Sequence, residues 1–270
     1  MYNEAAQYIS REHMEFLKSV KKRTFYVRVT QLVILILFFA LWELASAYKI
    51  IDPFLFSQPS RMFKTIVALS KNGYLLMNIW VTLSETIIGF TIGTILGILI
   101  AVILWWSDFL SRVAEPYLVV LNSLPKIALG PVFIVWMGNG EAPIITMALA
   151  ISLIVTIISL QNGFMQVDED KIKLLKTFGA NKWQILVKCI MPASIPTIIS
   201  AIKINIGLSW VGVITGEFLV SKAGLGYLIV YGGQIFKMDI VMTSVLILSI
   251  LAALMYILIS YFEKKLIKWQ

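Results

Sequence analysis

"LLKTFGANKWQILVKCIMP", Leu174 to Pro192, is a basic, polar stretch broken by one glycine and closed by a proline, set between two runs apolar enough for lipid. Asp168, Glu169 and Asp170 precede it, where the N-terminus of a helix favours negative charge. A first helix is predicted to run to Phe178. Gly179 supplies the backbone freedom to stop it, Asn181 caps a second helix, and Pro192 resists continuation until the next apolar run begins. In the second helix Trp183, Leu186, Val187 and Ile190 fall at helical spacing, making one apolar stripe beside Lys182, Gln184 and Lys188. Two short helices meeting at a glycine form a knob. It either docks in a groove of a soluble partner or rests on anionic lipid.

The surroundings of this island are those of an all-α integral membrane protein. Of 270 residues 59% are hydrophobic and 14% charged, with a mean hydropathy of +0.86, whereas soluble domains sit near half apolar and a quarter charged. Six windows reach the length of about 20 residues that a bilayer demands: Val27 to Tyr48, Ile79 to Trp106, Tyr117 to Met137, Ala142 to Gly163, Ser194 to Thr215 and Ile240 to Phe262. Six spans place both termini on one side. Fifteen Lys and Arg fall on that side, among them Lys18, Lys21, Lys22, Arg23, Lys171, Lys176, Lys264, Lys265 and Lys268, against six on the other, Lys49, Arg61, Lys64, Lys71, Lys222 and Lys237. The positive-inside bias therefore puts both termini and the island in the cytoplasm.

The net charge of +8 is spread among hydrophobic runs and does not form one basic face, so nucleic acid is excluded as a partner. A single cysteine, Cys189, and a single histidine, His13, exclude a disulfide framework and a His/Cys metal site. Residues 1–26 form a basic segment with Glu4, Glu12 and Glu15 and no small-residue cleavage site, unlike a removable signal peptide. Met14, Phe16, Leu17 and Val20 either lay this segment along the membrane surface or sit in a basic tail that only fixes topology. Residues 27–270 make one transmembrane domain, with the island at about 167–192.

Gly179 followed thirteen residues later by Pro192 resembles the cytoplasmic EAA loop of ATP-binding-cassette importer permeases, the binding-protein-dependent inner-membrane components. "GLGYLI" at Gly224 to Ile229, Glu217 ahead of it, "PKIALGPVFIVWMGNGE" at Pro125 to Glu141 and the closing "FEKKLIKW" look like the nitrate/sulfonate/taurine branch, and the likeness covers roughly Pro59 to Trp269. It implies a type I importer permease fold with cytoplasmic coupling helices. Contact with the ATPase would fall on Lys173, Gly179, Ala180, Asn181, Trp183 and Pro192. The chain departs from the pattern where E-A-A is Lys173, Leu174 and Leu175, and where the later I-x-L is Cys189, Ile190 and Met191. A lysine in place of the loop's glutamate reverses the local charge.

No G-x-x-x-x-G-K-[ST] loop occurs, so the chain lacks the backbone cradle and lysine of that kind of nucleotide site. The largest outer loop, Lys49 to Asn78, reads as amphipathic helix and is too small for a substrate-binding domain. The resemblance supplies the missing parts: a second permease copy as homodimer, two cytoplasmic ATPase subunits holding ATP and Mg, and an extracytoplasmic binding protein, all at a bacterial inner membrane. The chain itself holds no cofactor and is not an enzyme.

Several polar residues inside the spans call for a role. Lys203 sits about ten residues into the fifth span, where an unpaired lysine costs roughly 2.5–3.5 kcal/mol. It is read either with Asn205 and Ser209 beside a translocation pathway for an anion, or as an internal ion pair. Glu217, Gly224, Gly226 and Tyr227 correspond by resemblance to the outer gate, with a short helix starting near Tyr227; a passive re-entrant turn is the alternative. Glu85 stands where the family often has arginine, and Glu43 lies near the outer end of the first span; both are read as structural. Gly89, Gly93 and Gly97 repeat a small-residue pattern for close helix packing. Asn122, Ser123 and Pro125 interrupt the third span as a kink or a pathway-facing segment. The expected cargo is a small anion such as a sulfonate, taurine or nitrate. The alternatives are a vitamin precursor, thiamine pyrimidine or riboflavin, or ion-coupled secondary transport using Glu43, Glu85 and Lys203.

Overall fold

The computed structural model describes residues 11–266, and every regular element among them is helical. Lipid offers no hydrogen bonds, so a spanning chain satisfies its backbone within its own helices. Residues 1–10 and 267–270, with Glu4, Lys268 and Trp269, lie outside the described residues.

The chain divides after Lys64 into two units. In the first, α1 (Arg11–Ala47) is 37 residues long, about 55 Å at 1.5 Å per residue. From Arg11 the basic segment runs into the first span as one unbroken helix. Over residues 11–26 the segment is therefore helix and not a loose tail. Asp52 caps the short α2 (Pro53–Phe56), accepting from the Phe54 amide at 2.8 Å. Glu43 accepts from the Ser60 amide at 3.0 Å, in the first turn of α3 (Pro59–Lys71). A carboxylate there answers the unpaired N–H groups of a helix start, so Glu43 has a structural partner.

The second unit holds α4 (Tyr74–Trp106), α5 (Asp108–Ser123), a 3₁₀ turn (Lys126–Leu129), α6 (Gly130–Met137), α7 (Glu141–Met165), α8 (Glu169–Thr177), α9 (Lys182–Ile185), a π-helical turn (Leu186–Ile190), α10 (Met191–Ala193), α11 (Ile195–Val220), α12 (Leu225–Gln234) and α13 (Met238–Leu266). Helices α4, α7, α11 and α13 are each long and apolar enough to cross a bilayer, as is α1 in the first unit. The predicted third span, Tyr117 to Met137, is not one helix. It breaks between Ser123 and Lys126 into two arms at 85°. Leu124 precedes Pro125 and is pushed to extended backbone (φ −64°, ψ 138°), as the proline ring demands of its predecessor.

Small residues set the centre of this unit. A Cβ on Gly89 would come within 2.9 Å of Ala148 Cβ, one on Gly93 within 3.0 Å of Ser152 Oγ, and one on Gly97 within 2.6 Å of Thr156 Cγ2. The equal steps of four show that α4 and α7 run parallel along a seam. Across α7, a Cβ on Gly212 would strike the Ala148 backbone, and one on Gly216 would lie 2.8 Å from Ile144 Cα. There the residue numbers run oppositely, so α11 packs antiparallel. The glycine pattern in the second span thus has the packing role expected of it.

Candidate functional site

The island is built as its local chemistry requires. Asp168 caps α8 by accepting from the Asp170 amide at 2.9 Å. Gly179 ends that helix at φ +78°, in the left-handed region that glycine enters freely. Asn181 and Gln184 form a reciprocal capping box at the start of α9, at 2.8 and 2.9 Å. Pro192, however, does not end the second helix. The Met191 amide bonds back to the Leu186 carbonyl, five residues away, and Pro192 falls in the first turn of α10, where a missing N–H costs nothing. The helix ends at Ala193, one residue on, and turns at Ser194 before α11 begins at Ile195.

The predicted stripe also divides. Leu186 and Ile190 are buried, joined by Ile185 and Cys189, against Ala101 of α4, Leu160 and Phe164 of α7, and Ala201 of α11. Trp183 and Val187 are exposed, as are Leu174 and Phe178 of α8. Ala180 packs partly buried on the same core. Lys182 donates to the Trp106 carbonyl at 2.5 Å and lies 5.9 and 5.6 Å from the ring centres of Trp105 and Trp106. It pins α9 to the end of α4, and Trp183 leans on Trp106 at 6.4 Å. Lys173 reaches back to Asp170 at 3.2 Å and Glu169 at 3.5 Å on the exposed face of α8; its reversed charge is balanced within its own helix.

The trio on α11 is not one cluster. Lys203 and Asn205, two residues apart, point about 200° away from each other around a helix. Lys203 donates to Glu263 of α13 at 2.5 Å and lies 5.6 Å from the Tyr256 ring centre. Asn205 is buried and donates to Thr94 of α4 at 2.6 Å, with Ser209 buried one turn on. Of the two readings of Lys203, the structure contains the ion pair. Glu263 escaped the sequence reading because nothing local connects it with Lys203.

The turn between α11 and α12 does bring its predicted residues together. Gly224 takes φ +110°, and α12 begins at Leu225, two residues before the predicted start. Helix starts leave amides without partners, and here side chains supply them. Gly224 N donates to Asn78 Oδ1 at 2.6 Å, Leu225 N to Thr82 Oγ1 at 2.7 Å, Gly226 N to Glu217 Oε2 at 2.5 Å, and Tyr227 N to the same oxygen at 3.4 Å. A Cβ on Gly226 would come within 2.7 Å of Glu217 Oε2, and one on Gly224 would strike the same carboxyl. Asn78 and Thr82 were missed, although the polar series Asn78, Thr82 and Glu85 on one face of an otherwise apolar helix is a readable signal. Glu85, one turn beyond Thr82 on the same face of α4, is buried.

A family model described as binding-protein-dependent transport system inner membrane component matches residues 93–268. A Bacillus subtilis (strain 168) protein named for aliphatic sulfonates transport, the permease SsuC, is 24% identical over 270 residues, covering 100% of this chain and 98% of its own. The formylaminopyrimidine transport permease ThiX of Halalkalibacterium halodurans is 26% identical over 230 residues, 85% of this chain and 91% of its own. Among solved structures, the inward-facing MetNI methionine ABC transporter superposes with a TM-score of 0.62 at 20% identity, over 72% of this chain and 95% of that one. That likeness is one of fold.

Proposed function

We infer the working assembly from one premise: this chain belongs to the family of binding-protein-dependent transport system inner membrane components, and is a permease subunit of an ABC importer with the type I fold. Such a permease is not itself catalytic. In our reading a second copy completes the pathway, and two ATPase subunits on the cytoplasmic side bind ATP and Mg. A binding protein delivers solute to the other side. The N-terminus, the C-terminus and the island face the cytoplasm, where the excess of Lys and Arg lies.

The island is the handle for the ATPase. One observation carries this reading: one face of α9 and its π-helical turn is locked into the ends of α4, α7 and α11, while Phe178 and Trp183 stay 79% and 61% exposed. Apolar side chains on a rigid mount suit the helix-in-groove mode, and aromatic anchors dominate such contacts. The permease reconstituted with its ATPase and binding protein provides the test. Replacing Phe178 and Trp183 together with alanine should leave the permease folded and lower ATP hydrolysis stimulated by loaded binding protein by about tenfold or more, the effect of losing a contact hot spot. Unchanged stimulation would show that the island docks nothing. Lys173→Glu in the same assay asks whether the reversed charge matters; equal coupling would make it irrelevant.

The solute we propose is a small anion of the sulfonate, taurine or nitrate kind. The full-length likeness to the sulfonate permease supports it. Lys203 adds no support, because its charge is met by Glu263. The likeness to ThiX favours a second cargo, a pyrimidine vitamin precursor, carried by the same mechanism. Tracer uptake by the reconstituted importer separates the two: uptake of sulfonate without formylaminopyrimidine supports the first, and the reverse overturns it.

A further inference from the structure

Between Phe16 and Gln31, α1 carries Lys18, Lys21, Lys22, Arg23 and Arg28 and no Asp or Glu. Among the described residues, ion pairs answer Lys203, Lys173 and Arg112, and none involves these five. Their charge is left for something outside the chain. Ser19, Lys22, Arg23, Tyr26 and Thr30, spaced by three and four, share one face of the helix, and with Val27 they line an open groove. Lys22 Nζ lies 5.9 Å from the centre of the Tyr26 ring, a cation–π contact that steadies the ammonium beside the groove. Ser19 Oγ turns back to the Phe16 carbonyl at 2.7 Å, so recognition of an anion falls to Lys22 and Arg23.

Depth decides what that anion is attached to. From Val27 to its end at Ala47, α1 measures roughly 31 Å, which matches a hydrocarbon core of about 30 Å. The headgroup layer adds about 5–7 Å on each side. Tyr26 and Arg23 fall in that layer, and the flexible stem of Lys22 lets its ammonium reach it. Because the helix is unbroken, the same face runs from the headgroup layer straight into the hydrocarbon, where Val27 is exposed. Charge at one level and apolar surface at the next are what a phospholipid presents in reverse.

We propose that this face of α1 binds an anionic phospholipid of the cytoplasmic leaflet, its phosphate held by Lys22 and Arg23 and an acyl chain lying beside Val27. The planar guanidinium suits two phosphate oxygens at once, and the ammonium adds a point charge. A zwitterionic lipid fits worse, because its own headgroup cation would face the same two charges. The bound lipid fixes the depth of α1 in the bilayer.

The lipid measurement needs neither ATPase nor substrate, so its failure leaves the transport reading untouched. Native mass spectrometry of the full chain, released from nanodiscs of equal phosphatidylglycerol and phosphatidylcholine, should show phosphatidylglycerol retained on the wild type. Lys22→Gln/Arg23→Gln should lower that retention by about tenfold, as expected when two charges near the membrane surface are lost. Lys18→Gln/Lys21→Gln removes the same charge from another face of α1 and should keep most of the lipid. Equal retention of the two lipids by the wild type, or equal loss in both variants, would overturn the proposal. Displacement of the lipid by inorganic phosphate would overturn it too, as the mark of a free-anion site. So would a first variant that keeps its lipid but no longer copurifies with the ATPase, which would assign the face to a protein partner. Should the first variant fail to fold, Arg23→Gln alone reads the same retention.

Discussion

Lys203, about two turns into α11, meets an opposite charge, whereas Glu217, in the last turn of the same helix, meets backbone amides. The lysine pair is partly open, with side chains 20% and 27% exposed, and a long aliphatic stem lets such a charge reach outward. The Glu217 carboxyl is sealed, and its partners are amides fixed by backbone geometry. At one end of α11 charge cancels charge and little else depends on it. At the other end four amides, the three side chains that accept from them and three helices depend on one arrangement, so damage there should spread further.

Four substitutions probe this contrast, read as unfolding free energies in detergent. The largest effect is expected from Gly216→Val, beside Glu217. Its Cβ would stand 2.8 Å from Ile144 Cα, which is backbone and cannot step aside, so overpacking should cost about 3 kcal/mol; a cost under about 1 kcal/mol would mean that the α7–α11 contact yields easily. Next comes Glu217→Ala, which orphans the Gly226 and Tyr227 amides and should cost about 2 kcal/mol. Lys203→Met strands only a partly hydrated Glu263 and should cost about 1 kcal/mol, with the swap Lys203→Glu/Glu263→Lys restoring most of it. If Lys203→Met proved costlier than Glu217→Ala, the ranking of the two ends would be reversed. Trp183→Ala, on the exposed side of α9, should change stability by less than about 0.5 kcal/mol; a larger loss would place Trp183 in the fold and weaken its reading as a docking residue.

Local signals in the sequence account for much of this structure. Five of the six spans coincide with single long helices because apolar length is a property of the stretch itself. The caps at Asp168, Asn181 and Gly179 were readable for the same reason, since each acts within a few residues. The third span is a bent pair of helices, broken where Asn122, Ser123 and Pro125 interrupt the apolar run; window hydropathy averages over the break, but the proline marks it. The stripe on α9 failed because the segment is apolar on two faces: Ile185, Leu186, Cys189 and Ile190 also have helical spacing, and only the ends of α4, α7 and α11 decide which face is covered. Pro192 marks the stop to within a residue: a π-helical turn carries the helix past it to Ala193, and Ser194 separates it from α11. The contacts that matter most to the candidate sites, Lys203 with Glu263 and Asn78 with Gly224, join residues far apart in the chain. No periodicity reports them.

Ala148 has consequences beyond its size. It is fully buried, with Gly89 of α4 against it on one side and Gly212 of α11 on the other. Only the Ala148 Cβ stands between α7 and α4, and nothing stands between α7 and α11, so at this level the three helices touch almost backbone to backbone. Sliding of α4 or α11 along α7 would therefore meet backbone and Cβ contacts at this point, on the helix whose last turn carries Glu217.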